Sequence, residues 1–487
     1  MTGAPFDLLV VGAGGAGLSC AIAGAESGLR VALIEQASDI GGTLHVAGGM
    51  MSGAGTRRQQ QKGITGDTVE RHLDDVQKIA HRGFDPEIQR LAVMAAPGLI
   101  DWIDELGFPF HPDAPAIYFG HEPYSVPRTY WGPAAGKSLM ETLRKPLQEH
   151  LGTRRITLYL RHVMNEIEAG TAGATGIVVT DLESGGTKRL LGSDVVIATG
   201  GFGSNADLFA RTTGLDSRPP AASMPGSQGG GLKAILALGG QLRPATEILR
   251  LGRFPEPGNS GRVDYTMRAD LEALMRPPRE IWVNQGGRRF VDESADVVTV
   301  QEHAVLKQPG AMFWAIFDRH GVENGTSLVR EWKPETYSLE AERGLREIWC
   351  ATAIAELADQ AGIDRQGLEN TVAEWNSSLT NGTIPWSTRC PTMRIDTPPY
   401  FALLCRGSIL ATFTGIVASP RLEVIGADNR PIHHLFAIGE TLGGATYTGE
   451  AFCGGMLVTP ALALGRELGK YLGRRPSVLD AAVTPTV

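Results

Sequence analysis

The sequence is poor in the features that hold a chain together with disulfides or carry it through a membrane. Only 5 of its 487 residues are cysteine, with no CxxC, no CxxCH and no zinc-type spacing among them. A sparse, odd set of this kind is typical of reduced thiols, so we expect a cytoplasmic protein without a metal site. The longest apolar runs have the length of a strand, which predicts no transmembrane helix. The first of them begins too early to leave room for a signal peptide.

Concentrated positive charge is also missing. The net charge is −8, the sequence pI is about 5.8, and no block of basic residues occurs. Nucleic acid and anionic membranes are therefore not expected as partners, whereas a small-molecule substrate is. Glycine, in contrast, is abundant at 62 residues, as in proteins whose backbone closely approaches a cofactor. The length is sufficient for two or three lobes with their own cores.

The N-terminal segment carries the most specific pattern of the chain. An apolar strand at 8–11 leads into the turn GAGGAG at 12–17, an alanine-rich helix follows, and a second strand at 30–34 ends at Glu35. Glycines at such a turn let backbone N–H groups at a helix N-terminus approach a pyrophosphate. Glu35 lies 18 residues past Gly17, where an acidic side chain accepts hydrogen bonds from a ribose 2′-OH and disfavours a 2′-phosphate. The pattern therefore predicts bound FAD or NAD rather than NADP.

Three further motifs are spread over the rest of the chain. They are ATGGFGSN at 198–205, VNQGGRRFVDE at 283–293 and FAIGETLGGATYTGEAFCGGMLVTPALALGR at 436–466. Between about 215 and 395 the composition changes, with more Pro, Trp and Arg. The predicted organisation is a cofactor domain in two parts with a substrate domain between them and a loose tail, with the bounds 1–214, 215–395, 396–475 and 476–487.

Together with the N-terminal turn, these motifs resemble the FAD-dependent fumarate reductase and 3-ketosteroid Δ1-dehydrogenase superfamily. The resemblance covers nearly the whole chain, and the order and spacing of its motifs are specific. It implies an α/β fold in which a Rossmann-like FAD-binding domain is interrupted by an α+β substrate (capping) domain. It also implies FAD as the cofactor and hydride exchange between flavin N5 and a carbon next to an activating group.

The predicted cofactor contacts lie at the glycine-rich turns and strand ends of the two parts. An acid at Glu440 can hold ribityl hydroxyls, and a helix that opens at Gly455 can stabilise negative charge on the reduced flavin. Relatives that bind FAD covalently use a histidine several residues before a GG pair, whereas His45 lies only three residues before Gly48, so we expect non-covalent FAD. The predicted set is Gly12, Gly14, Gly15, Ala16, Gly17, Glu35, Gln36, Gly42, Thr43, Gly48, Gly49, Met50, Val163, Ala198, Thr199, Gly200, Gly439, Glu440, Gly455, Met456 and Leu457.

The arginines that fumarate reduction requires are missing from the matching stretches. The resemblance implies an Arg-Asp proton donor shortly after the hairpin of 283–293, but residues 293–297 contain no arginine. It implies a second arginine in a HGANR-like loop, where residues 450–452 are Glu, Ala and Phe. Simple fumarate reduction is therefore disfavoured.

The loop ATYTGEA at 445–451 instead resembles the TYPGPG loop of the ketosteroid dehydrogenases. By that resemblance, the hydroxyl of Tyr447 and the backbone N–H of Ala451 hold the ketone oxygen of the substrate. Two donors on a carbonyl form an oxyanion site, which acidifies the neighbouring C–H. The alternative for Tyr447 is a packed tyrosine with a satisfied hydroxyl.

A stretch at 118–131, rich in Tyr, Pro and His, supplies the remaining candidates around His121. Tyr124 is the predicted base for the α-proton, because YSVP at 124–127 resembles the aromatic-Pro loop of the family. Arg128 can bind a substrate carboxylate bidentately, or alternatively form an ion pair within the protein. The other predicted substrate contacts are Tyr118, Tyr130 and Trp131.

Arginines elsewhere in the chain have separate predicted roles. Arg250 and Arg253 are further candidates for binding an anionic group. Arg289 and Glu293 are expected to shape the hairpin of 283–293, with a proton path as another role open to Glu293.

The predicted reaction is the α,β-desaturation of a small cyclic ketone, such as the keto-acid 4-oxocyclohexanecarboxylate. A tyrosine would remove the α-proton, the β-hydride would pass to N5, and an external acceptor of unknown identity would reoxidise the flavin. One alternative runs in the reducing direction, as a fumarate reductase-like alkene reductase, or acts on a polycarboxylate such as tricarballylate. Another is a flavin-binding subunit whose partner carries the chemistry.

Overall fold

The described chain contains 18 strands and 14 α-helices. A computed structural model describes residues 5–118, 121–170, 173–214, 219–256, 260–271, 276–295, 297–324, 326–344, 346–381 and 393–483. The strands are β1 (Phe6–Val11), β2 (Val31–Ile34), β3 (Met51–Ser52), β4 (Thr129–Tyr130), β5 (Ile156–Tyr159), β6 (His162–Gly170), β7 (Gly173–Asp181), β8 (Thr187–Ile197), β9 (Leu242–Arg243), β10 (Arg250–Pro255), β11 (Val263–Arg268), β12 (Ile281–Val283), β13 (Met312–Asp318), β14 (Ile348–Ala351), β15 (Tyr400–Ser408), β16 (Gly415–Ile416), β17 (Glu423–Ile425) and β18 (Pro431–Ala437). The helices are α1 (Gly15–Glu26), α2 (Arg57–Gln61), α3 (Val69–Ala80), α4 (Pro86–Glu105), α5 (Gly136–Gly152), α6 (Ala206–Thr213), α7 (Gly230–Ala237), α8 (Val298–Leu306), α9 (Arg319–Glu323), α10 (Pro334–Arg343), α11 (Ile354–Ala361), α12 (Arg365–Asn381), α13 (Ala445–Thr448) and α14 (Val458–Leu472).

The larger sheet is built around the strand that precedes the glycine-rich turn. β1 pairs in parallel with β2 and β8, and the strand order is β17-β18-β8-β1-β2-β5, with β7 and β6 continuing from β8. Leu8, Leu9 and Val10 are fully buried, as apolar runs are when both faces of a parallel sheet are covered. The carboxyl ends of β1, β2 and β8 therefore meet at one edge, where ligands of such folds bind.

Two helices from distant parts of the sequence pack together beside this sheet. α1 is alanine-rich, its residues Ser19, Cys20 and Ala21 are fully buried, and its small side chains let α14 pack closely against it. α1 begins at Gly15 without a side-chain cap. Its first N–H groups are therefore available to an anion at the carboxyl end of β1.

A second, antiparallel sheet forms the centre of the capping region. Its strand order is β11-β10-β15-β13-β12, with β14 also paired to β15. Ile281, Trp314 and Ile316 from this sheet share a separate hydrophobic core with Leu357 of α11 and Leu368 of α12. The capping region therefore has its own core, as a domain of α+β type requires.

The two sheets confirm the predicted fold class, a Rossmann-like α/β domain interrupted by an α+β region. The domain bounds stay a prediction. β15, a central strand of the second sheet, comes from the range predicted for the cofactor domain. Among the described residues, no helix combines the length and the apolar character needed to cross a lipid bilayer.

Candidate active site

A cavity of about 730 Å³ extends from the glycine-rich turn after β1 to the loop that contains α13. Its volume lies in the range of cofactor and ligand sites. Most of the predicted cofactor residues line it, which is the arrangement that an extended dinucleotide requires. They are Gly12, Gly14, Gly15, Ala16, Glu35, Gln36, Gly42, Thr43, Gly48, Gly49, Met50, Val163, Ala198, Thr199, Gly200, Gly439, Glu440, Gly455 and Leu457.

Two residues of the predicted cofactor set do not line this cavity. A Cβ at Gly17 would lie 1.8 Å from the carbonyl oxygen of Gly12, so this glycine permits the close contact between α1 and the turn before it. Met456 is fully buried in the main hydrophobic core. Both assignments are therefore corrected from ligand contact to packing.

Glu35 lies directly after β2, at the edge of the cavity. Its Oε2 accepts a hydrogen bond from the N–H of Ala13 at 2.8 Å, and its Oε1 accepts one from Ala37 at 2.9 Å. These two amides fix the orientation of the carboxylate. Because a carboxylate oxygen has two lone pairs, each oxygen can still accept a hydrogen bond from a ribose hydroxyl.

Sequence reasoning missed residues 224–228, which line the same cavity although they fall in the range predicted for the capping domain. Gln36 donates from Nε2 to the carbonyl oxygen of Gly226 at 2.8 Å, which ties this loop to the chain just after β2. Lys233 also lines the cavity, on α7, which packs against β6. The glycine-rich run GSQGGG at 226–231 is the sequence signal that marks this loop.

Glu440 follows β18 and contacts the loop after β15. Its Oε1 accepts a hydrogen bond from the N–H of Thr412 at 2.9 Å. Its depth in the protein, where the charged form is poorly solvated, raises the pKa of Glu440 to about 7. Gly201 leaves the space for this contact, because a Cβ there would lie 2.0 Å from Oγ1 of Thr412 and 2.3 Å from Oε1 of Glu440.

Tyr447 lines the cavity, whereas its predicted partner in the oxyanion site does not. The Tyr447 hydroxyl donates to the carbonyl oxygen of Gly439 at 3.3 Å, a long hydrogen bond, and burial raises its pKa, so the hydroxyl keeps its proton. The N–H of Ala451 donates to the carbonyl of Thr448 at 3.2 Å, and Ala451 is fully buried. The predicted two-donor site is therefore corrected: of this pair, Tyr447 alone reaches the cavity.

Tyr124 packs against the turn before α14 and does not line the cavity. Its side chain is buried, and its hydroxyl donates to the carbonyl oxygen of Gly454 at 2.5 Å. Burial raises the pKa of Tyr124, whereas a catalytic base needs a lowered one. The predicted role of base is corrected to a packing role.

Arg128 is fully buried in a network of ion pairs rather than placed at the cavity. Its Nη2 and Nε donate to Asp67 at 2.6 and 3.1 Å, and its Nη1 donates to Asp75 at 2.6 Å. Two carboxylates thus occupy the guanidinium, which leaves no face for a substrate carboxylate. The predicted substrate contact is corrected to the alternative, an ion pair within the protein.

Of the other three predicted substrate contacts, two lie away from the cavity and one lines it. Tyr130 is fully buried, with its hydroxyl 2.5 Å from Oγ1 of Thr56. Trp131 stacks on His111 with ring centroids 5.2 Å apart. Neither lines the cavity, whereas Tyr118 does.

Arg250, the first residue of β10, occupies the position at the cavity that we predicted for Arg128. Its Nη1 donates to Nε2 of His121 at 3.0 Å. Because arginine has no acceptor, this hydrogen bond forms when Nε2 carries no proton. Within the described part of the chain, no carboxylate lies within ion-pair distance of Arg250.

His121 and Phe452 complete this end of the cavity. The His121 ring lies over Phe452 with ring centroids 4.4 Å apart, and Oε1 of Glu302 lies 3.4 Å from Nε2 of His121. The guanidinium carbon of Arg250 lies 5.3 Å from the Phe452 ring centroid. The cation thus lies between an aromatic face and an imidazole nitrogen, and no described carboxylate lies at ion-pair distance from it.

The remaining candidates lie away from the cavity. Arg289 pairs with Glu293 through Nη2 and Oε2 at 2.5 Å, which fits the predicted hairpin role. Arg253 does not line the cavity, although it belongs to the same strand as Arg250. Nε2 of His45 lies 2.9 Å from the carbonyl oxygen of Ile40. The non-covalent attachment of FAD stays a prediction.

The family described as FAD binding domain matches residues 7–457 of this chain. The chain belongs to that family. It binds FAD, and the residues present fit this cofactor, with the uncapped start of α1 for the pyrophosphate and Glu35 and Glu440 for hydroxyl groups.

Individual relatives place this FAD-binding protein among oxidoreductases. A probable fumarate reductase, Ifc3, from Shewanella frigidimarina is 26% identical over 471 residues, which is 95% of this chain and 74% of that protein. A urocanate reductase from Eggerthella lenta is 26% identical over 470 residues, with the same two shares. The crystal structure of a 3-ketosteroid Δ1-dehydrogenase from Sterolibacterium denitrificans matches with a TM-score of 0.76 at 19% identity, over 96% of this chain and 99% of that chain. The chain is thus an FAD-dependent oxidoreductase, and its likeness to the ketosteroid dehydrogenase shows a shared fold.

Proposed function

We propose that this protein reduces a C=C bond conjugated to a single carboxylate or carbonyl group. FAD, when reduced, supplies the hydride for the carbon β to that group, and the hydroxyl of Tyr447, which lines the cavity, can supply the proton for the α-carbon. The observation that carries the proposal is Arg250 at the cavity, with one hydrogen bond to His121 and no described carboxylate to neutralise it. A cation in this place stabilises the negative charge that develops on the activating group as hydride arrives.

The surroundings of Arg250 favour a substrate with one anionic or carbonyl group and an apolar remainder. Leu410, Ala411 and Phe452 line the cavity, and Lys233 is the other lysine or arginine in its described lining. Lys233 lies on α7, which packs against β6. The predicted cofactor contact Val163 belongs to β6. One cation at the substrate end suits a monocarboxylate or an enone better than fumarate or tricarballylate, which need several.

Reduction is preferred over desaturation because the cavity offers a poor base. Tyr124 lies away from it, and burial raises the pKa of Tyr447, so Tyr447 is suited to donate a proton to the α-carbon and not to remove one. The two sequence relatives named above carry the name of a reductase, one of fumarate and one of urocanate.

The desaturation of a small cyclic ketone is a second candidate, favoured by the presence of Tyr447 at the cavity. Its protonated hydroxyl can donate to a ketone oxygen. Arg250, in place of Arg128, would hold the carboxylate of a keto-acid such as 4-oxocyclohexanecarboxylate.

Anaerobic absorbance measurements in both directions separate these candidates. Photoreduced holoenzyme is mixed with trans-cinnamate, cyclohex-2-enone or fumarate, and oxidised holoenzyme with 4-oxocyclohexanecarboxylate or cyclohexanone. Flavin reoxidation by cinnamate or the enone, faster than by fumarate, is the expected result. Flavin bleaching by a saturated ketone, without reoxidation by any alkene, would select the desaturase. A flavin that responds to none of them would indicate a binding subunit.

A further inference from the structure

A second cavity, of about 470 Å³, shares no lining residue with the cofactor cavity. Glu247 lines it, together with Thr213, Ala445 and Glu450. Ala445 stands next to Gly444, which lines the cofactor cavity, so only a thin layer of chain separates the two spaces.

One short loop holds a carboxyl group for each cavity. The N–H groups of Phe413 and Thr414 donate to Oε2 and Oε1 of Glu247 at 2.8 and 3.0 Å. The N–H of the preceding residue, Thr412, donates to Oε1 of Glu440 at 2.9 Å. Three consecutive amides thus bind two neighbouring carboxyl groups, and no lysine, arginine or histidine of the described chain pairs with either of them.

The charge of this pair is sensitive to its surroundings. Glu247 is 3% exposed, and burial raises its pKa to about 7, with the negative charge of Glu440 adding to the shift. Across the second cavity, Glu450 pairs with the exposed Arg82 at 2.9 Å.

Arg243, which precedes the cavity-lining Pro244, is paired with Asp85 at 2.6 Å. The basic groups near Glu247 are therefore already matched by acids. An additional negative charge in the cofactor cavity would favour the protonated form of the carboxyl pair.

We propose that Glu247 takes up a proton when the bound FAD is reduced and releases it when the FAD is reoxidised. An external hydride donor supplies two electrons and one proton to the FAD, which leaves one negative charge in the cofactor cavity that Glu440 also lines. The proton comes from solvent in the second cavity, forms the O–H bond on Glu247, and returns to solvent after hydride has left for the substrate. This inference depends on FAD binding and not on the substrate class.

The midpoint potential of the bound FAD, measured by electrochemical titration from about pH 6 to about pH 8, tests the proposal through linkage between protonation and reduction. The wild-type potential is expected to fall with rising pH more steeply than that of Glu247→Gln. Glu450 lines the same cavity but contacts no amide of the loop at 412–414, so Glu450→Gln is the matched control. The midpoint potential of Glu450→Gln should fall with rising pH as steeply as that of the wild type. Equal slopes for wild type and Glu247→Gln would overturn the proposal.

Infrared difference spectra of reduced minus oxidised holoenzyme give an independent readout. Reduction of the wild type should produce a band of a protonated carboxyl group that is absent from Glu247→Gln. If Glu247→Gln does not retain FAD, Glu247→Asp keeps the carboxyl group and should shift the band without removing it. No band in the wild type, or an unshifted band in Glu247→Asp, contradicts proton uptake at this residue.

Discussion

Arg250 donates a hydrogen bond from Nη1 to Nε2 of His121 across 3.0 Å, at the end of the cofactor cavity that Phe452 also lines. Arg128, close to His121 in sequence, instead gives three hydrogen bonds to Asp67 and Asp75. The two arginines therefore have separate roles, because the first keeps donors for a ligand and the second neutralises buried acids.

Arg250→Gln should lower kcat/KM for an unsaturated carboxylate by about 10²-fold, because a hydrogen bond between charged groups contributes about 1.5–3 kcal/mol. The loss on a neutral enone should be smaller. Arg253→Gln, on the same strand but away from the cavity, is the matched control and should retain its activity. Equal losses for the two substrates would show that Arg250 does not bind the carboxylate.

Replacements of His121 should separate its role as a hydrogen-bond acceptor from simple packing. Glutamine can place its Oε1 where Nε2 lies and accept from Arg250, whereas leucine cannot. His121→Gln is therefore expected to retain most of the kcat/KM that His121→Leu loses. Equal losses of kcat/KM in His121→Gln and His121→Leu would show that the imidazole acts through packing alone.

Arg128→Gln should lower stability and leave the chemistry of the folded protein intact. Removing one partner of a buried ion pair leaves uncompensated charge and costs about 3–5 kcal/mol in the free energy of unfolding. Arg144, which pairs with Asp39 near the surface, provides the comparison, since Arg144→Gln should cost less than about 1 kcal/mol. Denaturant titrations give the stabilities. A changed KM with unchanged stability for Arg128→Gln would return this residue to the substrate site.

Gly201→Ala should weaken FAD binding strongly. Its Cβ would lie 2.0 Å from Oγ1 of Thr412 and 2.3 Å from Oε1 of Glu440, so the turn and the Glu440 contact cannot both persist. Gly230 also lines the cavity, but no atom outside its immediate chain neighbours lies within 4 Å of the place that a Cβ would take, and Gly230→Ala should retain FAD. The flavin content of the two purified variants checks this, and equal content would count against the proposed crowding.

Glu247 should make stability depend on pH in a defined direction. Its pKa is raised from 4.5 to about 7, so between these values the folded state binds more protons than the unfolded state. The free energy of unfolding therefore falls as pH rises through this window. Glu247→Gln should flatten the dependence of Tm on pH, whereas Glu450→Gln should not. A slope unchanged in Glu247→Gln would show that its carboxyl group titrates normally.

The cofactor half of the site could be predicted from sequence because its signals are local. The turn at 12–17, Glu35 and Glu440 each stand at the end of a strand, and the strand order brings those ends to one edge. The substrate half could not, because its roles depend on partners distant in sequence. Arg128 is neutralised by Asp67, whereas no acid among the described residues pairs with Arg250. Neither fact can be read from the residues that neighbour these two arginines in sequence.

The placement of β8 between β1 and β18 has a consequence during protein synthesis. The C-terminal part of β8 pairs with β1 on one side, and its other edge is covered only after residues 431–437 have been made. Until α14 emerges from the ribosome, the face of α1 that it covers also stays open. Between the synthesis of β8 and that of β18, nascent chains therefore carry an unpaired strand edge beside apolar surface, a state that chaperones shield from aggregation. Because the cofactor cavity is lined by the turn after β1 and by residues that follow β18, we expect flavin to load only after both segments have been made.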